Sequence, residues 1–520
     1  MKIQKFVVIA TAFLLNLAGL SSAYAVSRFV ATTGSDTGDC SNVNAPCQTI
    51  AFAITQSGVG DDIQIAAGQY NENNFFIAAG AELSFNGAGQ GTDPSSATII
   101  DGGTAALIFF NNSDNVTFSN LTLQNGDGAL FNNGNFLVID NLLITANNTG
   151  TVAVFNNGNN FSITNTNILN NLGHGGMFNN GNDGQMDQVN IVGNQSSGDG
   201  GGIFNNGNNL SLNSVAIDNN QTDAFGGGMF NNGNNVTATS LSISGNQALN
   251  SGDGGGLFNN GDDFSFTDCN INNNHSGANG GAIFNNGANT TFNRCSISGN
   301  TIMGVLGSGG ALFNNGDDSS FLNTTISNNS AVDDGGAIFS NTSTDTPLVN
   351  VTIAGNSDSA AGDGIFNNDI TGAILLKNTI MANGANGGNC DGPGTFLSLG
   401  HNISDDNSCP LGGTGDLPNT NSDLGPLQDN GGNTLTQALL VGSQAINGVP
   451  IADCNDINDN PITVDQRNQP RPIGGACDMG AFEFSAGTFQ FDMANYIVNE
   501  DAGFATITVI RAGGFDGDGD

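Results

Sequence analysis

One tripeptide constrains this chain more than any other feature. Phe-Asn-Asn recurs at Phe110, Phe131, Phe155, Phe178, Phe204, Phe230, Phe258, Phe284, Phe313 and Phe366, with Phe-Ser-Asn at Phe339. Successive phenylalanines lie 21, 24, 23, 26, 26, 28, 26, 29, 26 and 27 residues apart. A period in the twenties marks a solenoid, in which each unit buries its apolar face only by stacking on its neighbours. Within each unit come short alternating runs such as Leu210-Ser211-Leu212 and Val215-Ala216-Ile217, broken by Asn and Gly. Alternation over two to four residues means short strands and tight bends. Leucine-rich or helical repeats would need a 3.6-residue period, and none is present. Three short strands per turn predict a right-handed parallel β-helix, an all-β fold with coils about 4.8 Å apart.

The register is equally informative. A second Asn follows each Phe by 16 residues, at Asn147, Asn171, Asn194, Asn220, Asn246, Asn274, Asn300 and Asn329, and by 17 at Asn356. Stacked Asn amides can hydrogen-bond along the solenoid axis, and Asn tolerates the left-handed bends such corners need. The Phe-Asn-Asn positions should therefore stack in register, although Ile283 and Phe284 compete for the inward place. Length variation falls in connectors such as Gln195–Ile203 and Thr301–Leu312, all on one edge. That edge is either a binding surface or a place of neutral drift.

Charge narrows the function. Eight Lys+Arg against 46 Asp+Glu leave a net charge of −38. Nucleic acid is excluded as a partner and an anionic membrane surface is disfavoured. Residues 1–25 read as a signal peptide: Lys2 and Lys5, the apolar run Phe6 to Leu20, then Ala23-Tyr24-Ala25. No stretch is long and apolar enough to span a bilayer, which points to a secreted or outer-surface protein. The eight cysteines form four sequence-local pairs, Cys40/Cys47, Cys269/Cys295, Cys390/Cys409 and Cys454/Cys477. In an exported chain these read as disulfides. Cys269 and Cys295 occupy equivalent inward slots of adjacent coils, so a bridge and two buried free thiols are both open there.

Three segments resemble known exported proteins. Phe29-Val30-Ala31-Thr32-Thr33-Gly34-Ser35-Asp36 through Gly68-Gln69-Tyr70 resembles the N-terminal cap and first coil of pectin-lyase-like β-helix proteins, with Thr49 to Gln56 as a cap helix. Gly280-Gly281-Ala282-Ile283 and Gly335-Gly336-Ala337-Ile338 are similar to repeats of polymorphic outer-membrane proteins, a family associated with surface display and adhesion. Its second motif departs, with Ile in the Phe place at Ile297-Ser298-Gly299-Asn300. Residues 387–484 resemble the closing module of bacterial secreted β-helix proteins, through Asp465-Gln466-Arg467 and Cys477-Asp478-Met479-Gly480-Ala481-Phe482-Glu483. Tyr496-Ile497-Val498-Asn499-Glu500-Asp501-Ala502-Gly503 resembles the opening of a Calx-beta domain, a calcium-binding β-sandwich, cut short at Asp520. The resulting division is signal peptide 1–25, N-terminal cap and first coils 26–100, repeat β-helix 101–386, disulfide-containing closing module 387–485 and incomplete Calx-beta domain 486–520.

Parallel β-helices often cut acidic polysaccharides, so catalysis has to be weighed on residues. A lyase needs a basic residue beside a carboxylate-bound calcium. Between residues 29 and 466 the basic candidates are Arg294 and Lys377, and Asp268 stacks beneath Arg294 as a surface pair. Gly173-His174-Gly175 is present, but the Arg-x-Lys of polygalacturonase-type hydrolases is not. Asp262-Asp263 and Asp317-Asp318 fall two coils apart, about 10 Å, at the edge of inverting-carboxylate spacing. No Trp and few Tyr are present to stack on sugars. Calcium is the expected ligand, through Glu500 and Asp501, which the Calx-beta resemblance implies as metal residues. Connector acids Asp199, Asp253 and Asp334 offer oxygens too. The sequence thus points to a non-enzymatic β-helix acting as adhesin or structural stalk for an extracellular glycan or protein. A polysaccharide-active lyase or hydrolase is the alternative.

Overall fold

The computed structural model describes residues 25–486 except 105, 149, 361 and 384–387, and beyond them 488–491, 493, 496, 504 and 506–512. The signal peptide expected at residues 1–25 lies, up to residue 24, outside the described residues, as do Glu500 and Asp501.

The repeats stack as a right-handed parallel β-solenoid of about 13 turns. Among the described residues three long parallel sheets run its length. A flank sheet of 15 strands begins at Ser27–Val30 and ends at Thr395–Gly400. A Phe sheet of 13 strands runs from Phe75–Ile77 to Cys390–Asp391. A third sheet of 14 strands, here the cleft sheet, runs from Gly68–Tyr70 to Ile403–Ser404. Five two-residue strands, from Gln195–Ser196 to Thr301–Ile302, add a narrow fourth sheet where the connectors leave each coil. A short helix, Ile50–Gln56, stands beside the first coil with Thr49 accepting from the Phe52 amide at 3.2 Å.

Register follows the tripeptide. Phe178 pairs with Phe204, Phe204 with Phe230, and Phe230 with Phe258, with their flanking residues in step. The residue before each Phe and the first Asn after it point inward; the Phe points out. Ile203 and Asn205 are 0 % exposed, and alternation along a strand then forces Phe204 outside. The inward Asn explains the choice. Asn205 Nδ2 donates to Gly207 O at 2.8 Å and to Asn231 Oδ1 at 2.7 Å, closing the turn and linking the coils at once. A Cβ on Gly207 would stand 1.8 Å from Gly181 O, so only glycine fits at this place in the coil.

The outward phenylalanines stack on one another from Phe110 to Phe366, with ring centroids from 4.5 to 5.4 Å apart. Beside them the second Asn of each tripeptide forms an exposed row, as in Asn232 Nδ2 to Asn206 Oδ1 at 2.9 Å. The Asn placed 16 residues after each Phe makes a further buried ladder. Asn220 Nδ2 donates to Asn246 Oδ1 at 3.1 Å, and the Asn220 amide donates to the same oxygen at 2.9 Å. These amide ladders and the outer aromatic ladder thus stiffen the rod.

Three disulfides form: Cys40–Cys47, Cys390–Cys409 and Cys454–Cys477, with Cα atoms 5.2, 4.9 and 6.1 Å apart. The bridge expected as one option at Cys269 and Cys295 is absent; both are buried free thiols. The two thiols sit in equivalent inward places just before the strands Asn270–Asn272 and Ser296–Ser298, side by side without a bond. Cys269 Sγ turns to Thr267 O at 3.4 Å and Cys295 Sγ to Asn293 O at 3.6 Å. Burial and the neighbouring Cys269 hold the Cys295 thiol well above its ordinary pKa.

The module after the last coils does not simply close the end of the rod. It folds back along the cleft sheet. Gln466 Nε2 donates to Cys295 O at 3.0 Å, Asn323 Nδ2 to Val464 O at 3.1 Å, the Ala481 amide to Thr352 Oγ1 at 3.0 Å and the Gly480 amide to Asn378 O at 2.7 Å. The Asp465-Gln466-Arg467 and Asp478 to Glu483 strings are the core of this attachment. Arg471 pairs with Glu483 at 2.9 Å and Arg467 with Asp465 at 2.9 Å, all four nearly solvent-free. Arg467 also lies 3.5 Å from the centroid of the Phe482 ring. Beyond residue 486, Thr488–Phe491 and Val509–Ala512 form an antiparallel pair.

Candidate binding cleft

Burial along the outside of the cleft sheet locates a site that the repeat alone does not reveal. One outward lane runs through equivalent positions of successive coils: Ile99, Thr122, Leu143, Asn167, Asn190, Ala216, Ser242, Asn270, Ser296, Thr325, Thr352 and Ile380. Its two ends are sealed: Ile99 and Thr122 are 2 % and 0 % exposed, Ser296 and Thr325 1 % and 0 %. Leu143 through Asn270 are open or half-open.

Both seals have identifiable causes. At the first end the loop before the strand Thr98–Asp101 folds over the sheet. The Gly91 amide donates to Thr122 Oγ1 at 2.8 Å, and Gln90 Nε2 donates to Asn141 Oδ1 at 2.7 Å. At the other end the returning module lies on the strands. Asn270 Nδ2 donates to Asn433 O at 2.9 Å, Thr434 Oγ1 to Arg294 O at 3.3 Å, and Thr325 Oγ1 to Gln466 Oε1 at 2.6 Å. The first wall reaches as far as Asn167, whose Nδ2 donates to Gln90 Oε1 at 3.4 Å, so from Asn167 to Asn270 the floor between the wall contacts spans five strands, roughly 19 Å at the usual strand spacing. Against the second wall lies a cavity of about 330 Å³, with Ser242, Asn270 and Asn272 on the floor and Asp429, Asn433 and Thr434 on the wall.

The floor is built from short neutral side chains. Next to the first lane runs a second: Leu169, Val192, Asp218, Ser244 and Asn272. Asn190 Nδ2 donates to Asn167 Oδ1 at 2.8 Å, and Ser244 Oγ donates to Asn272 Oδ1 at 2.5 Å. Asp218 is the floor's carboxylate. Its Oδ1 accepts from Ser242 Oγ at 3.1 Å and from the Ser244 amide at 3.0 Å. Burial raises its pKa above the ordinary aspartate value, and those two donors hold it back.

The residues singled out in the sequence stand elsewhere. Arg294 and Asp268 do meet on adjacent coils, but as a two-pronged pair rather than a loose surface contact. Arg294 Nε lies 2.7 Å from Asp268 Oδ1 and Nη2 3.1 Å from Oδ2, with side chains 18 % and 16 % exposed. Lys377 Nζ is taken up by Asn455 Oδ1 and, at 3.0 Å, by Asp456 O of the module. His174 is exposed in its connector. Asp262 and Asp317 each accept a backbone amide of the next coil, from Ala288 at 2.8 Å and from Ser343 at 2.7 Å. Connector acids Asp199 and Asp253 do likewise, from the Phe225 amide at 3.2 Å and the Asn279 amide at 2.7 Å. The acids therefore tie coil to coil. Burial, Asp333 and Asp391 raise the Asp334 pKa. Among the described residues no group of three or more His, Cys, Asp or Glu is placed to hold a metal ion.

No family model matches the chain, and no curated protein matches it. Among solved structures it is similar to pectate lyase Pel9A, at 14% identity over 88% of this chain and 96% of that one, with a TM-score of 0.35. It is also similar to the mannuronan C-5 epimerase AlgE6 A-module of Azotobacter vinelandii, at 13% identity over 67% and 94% with a TM-score of 0.37. The Dettilon tailspike protein gives 11% identity over 71% and 68%, with a TM-score of 0.34. Likenesses this distant assign no activity. The likenesses to polymorphic outer-membrane proteins and to Calx-beta domains rest on the sequence strings alone. Among the described residues no helix is long and apolar enough to cross a membrane.

Proposed function

We propose that this protein is a non-enzymatic, secreted or surface-displayed rod that acts as adhesin or stalk and holds an extracellular ligand in the walled cleft. The observation that carries this reading is the chemistry of the cleft. Its floor offers amides, hydroxyls and small apolar side chains, with one carboxylate, Asp218, already committed to Ser242 and Ser244. The nearby base, Arg294, is neutralised in place by Asp268. A lyase base has to be free to take a proton. Rigidity supports the stalk role, because continuous ladders resist bending of a solenoid whose units touch only their neighbours. Calcium belongs to the proposal through Glu500 and Asp501 and the Calx-beta likeness.

The test is product analysis. Purified protein incubated with pectate, polygalacturonate or alginate, with and without calcium, should release neither unsaturated nor reducing ends. Turnover that disappears in Arg294→Ala would defeat the non-enzymatic reading and put the polysaccharide-active alternative in its place.

A further inference from the structure

We propose that the walled cleft binds a neutral, linear polysaccharide through its hydroxyl groups. This deepens the reading of the protein as a ligand-binding rod and rests on it. The two lanes of the floor differ in a way that suits a sugar chain. Asn167, Asn190, Ser242 and Asn270 form a row of groups that both donate and accept. Leu169 and Val192, half-buried in the second lane, give apolar patches for the C–H faces of pyranose rings. Asp218 and Asn272 return to acceptor chemistry beside Ser242 and Asn270.

Charge selects among glycans. The site's carboxylates are Asp218 on the floor and Asp429 on the wall. Two cations stand at this wall and both are already engaged: Arg467, which donates to Asn430 O at 3.2 Å, pairs with Asp465, and Arg294 has Asp268 on both prongs of its guanidinium, while the whole chain carries a net charge of −38. A uronate polymer would bring repeated carboxylates to a site without a counter-charge. A neutral polymer meets no such repulsion. A protein partner fits less well, because stable protein interfaces centre on an apolar anchor in a desolvated pocket. This floor presents short polar side chains instead. The roughly 19 Å between the walls suits a short run of pyranose rings rather than a single sugar.

The experiment is isothermal titration of the intact protein with cellohexaose, xylohexaose and mannohexaose, and with hexagalacturonate and hexaguluronate. At least one neutral hexasaccharide should bind and neither uronate should. Ser242→Phe fills the cavity side of the floor and should weaken binding at least about tenfold, close to 1.4 kcal/mol. Ser244→Leu, in the neighbouring lane, should weaken it in the same direction, which guards against a folding defect in the first variant. Asn232→Ala on the Phe sheet should bind as the parent does. Binding of a uronate more tightly than of all three neutral sugars overturns the proposal. So does silence from all three neutral sugars, or parent-like binding by both cleft variants. Cleavage of a bound neutral sugar would leave this inference standing and defeat the non-enzymatic reading. Uncleaved uronate binding would do the reverse.

Discussion

Neighbouring asparagines of one tripeptide should differ sharply in what they contribute to stability. Asn231 is buried and Asn232 exposed on the same coil. Asn231 Nδ2 donates to Gly233 O at 2.8 Å and to Asn259 Oδ1 at 2.7 Å, and its Oδ1 accepts from Asn205 Nδ2 at 2.7 Å and the Gly233 amide at 3.2 Å. Asn231→Ala removes all four bonds and leaves the Gly233 groups without these partners where water has poor access. At about 1 kcal/mol per net bond, the cost is roughly 4 kcal/mol. Asn232 makes two side-chain bonds, to Asn206 and from Asn260, each 2.9 Å and each exposed. Water replaces these partners, so Asn232→Ala should cost at most about 1 kcal/mol. Urea unfolding followed by circular dichroism measures both against one reference, since the two substitutions remove the same atoms from the same coil. A solenoid can unfold in parts, so the first urea transition is the one to compare. Costs for the two variants within about 0.5 kcal/mol of each other would refute the division into buried and exposed ladders, whatever the absolute values.

Other expectations can be checked independently. Mass spectrometry of unreduced peptides should find Cys40–Cys47, Cys390–Cys409 and Cys454–Cys477 joined, with Cys269 and Cys295 alkylated only after unfolding. Phe258→Ala removes ring stacking to Phe230 at 5.1 Å and to Phe284 at 4.8 Å, and should cost about 3 kcal/mol in the same urea assay. A cost below about 1 kcal/mol would show that the outer aromatic ladder carries little. Asp478, pushed up to about 7 by burial and by Glu483, holds its proton in the folded state where the unfolded chain has lost it. Asp358, at about 6 through burial and Asp363, acts in the same direction. A raised acid contributes stability at low pH and loses it as pH rises through the folded value. The urea midpoint should therefore fall between about pH 5 and 7.5. His275, lowered by burial, opposes this weakly near its own titration. A midpoint that rises over that interval would contradict the raised acids Asp478 and Asp358.

Much of the fold was legible because the repeat fixes register. The constant 16-residue offset places Asn220, Asn246 and Asn274 on one line, and the amides join as the spacing requires. The direction of the Phe was not legible. Ile283 and Phe284 are both apolar neighbours on a strand of period two, and either can face the core. What decides it is the following Asn285, which has to be inside to reach Gly287 O at 2.9 Å and Asn314 Oδ1 at 2.8 Å. The thiols Cys269 and Cys295 were placed in adjacent slots correctly, and of the two states left open there the structure has the free thiols. The cleft left no local signal. Its walls come from Gln90 and Asn433, which no motif links, and its floor uses the least regular outward positions of each coil. Asp465-Gln466-Arg467 marked the closing module, yet only the return of that segment along the sheet turns Gln466 into a contact with Cys295 and Thr325.

The central claim, a rod that holds a ligand without changing it, is tested most directly by recovering the ligand. The protein is incubated with a neutral hexasaccharide, the complex is isolated by size exclusion, and the released sugar is weighed by mass spectrometry. The account predicts a hexasaccharide that travels with the parent protein, is lost with Ser242→Phe and returns at unchanged mass. Shortened or unsaturated products, or a sugar that travels equally with the parent and with Ser242→Phe, would contradict it.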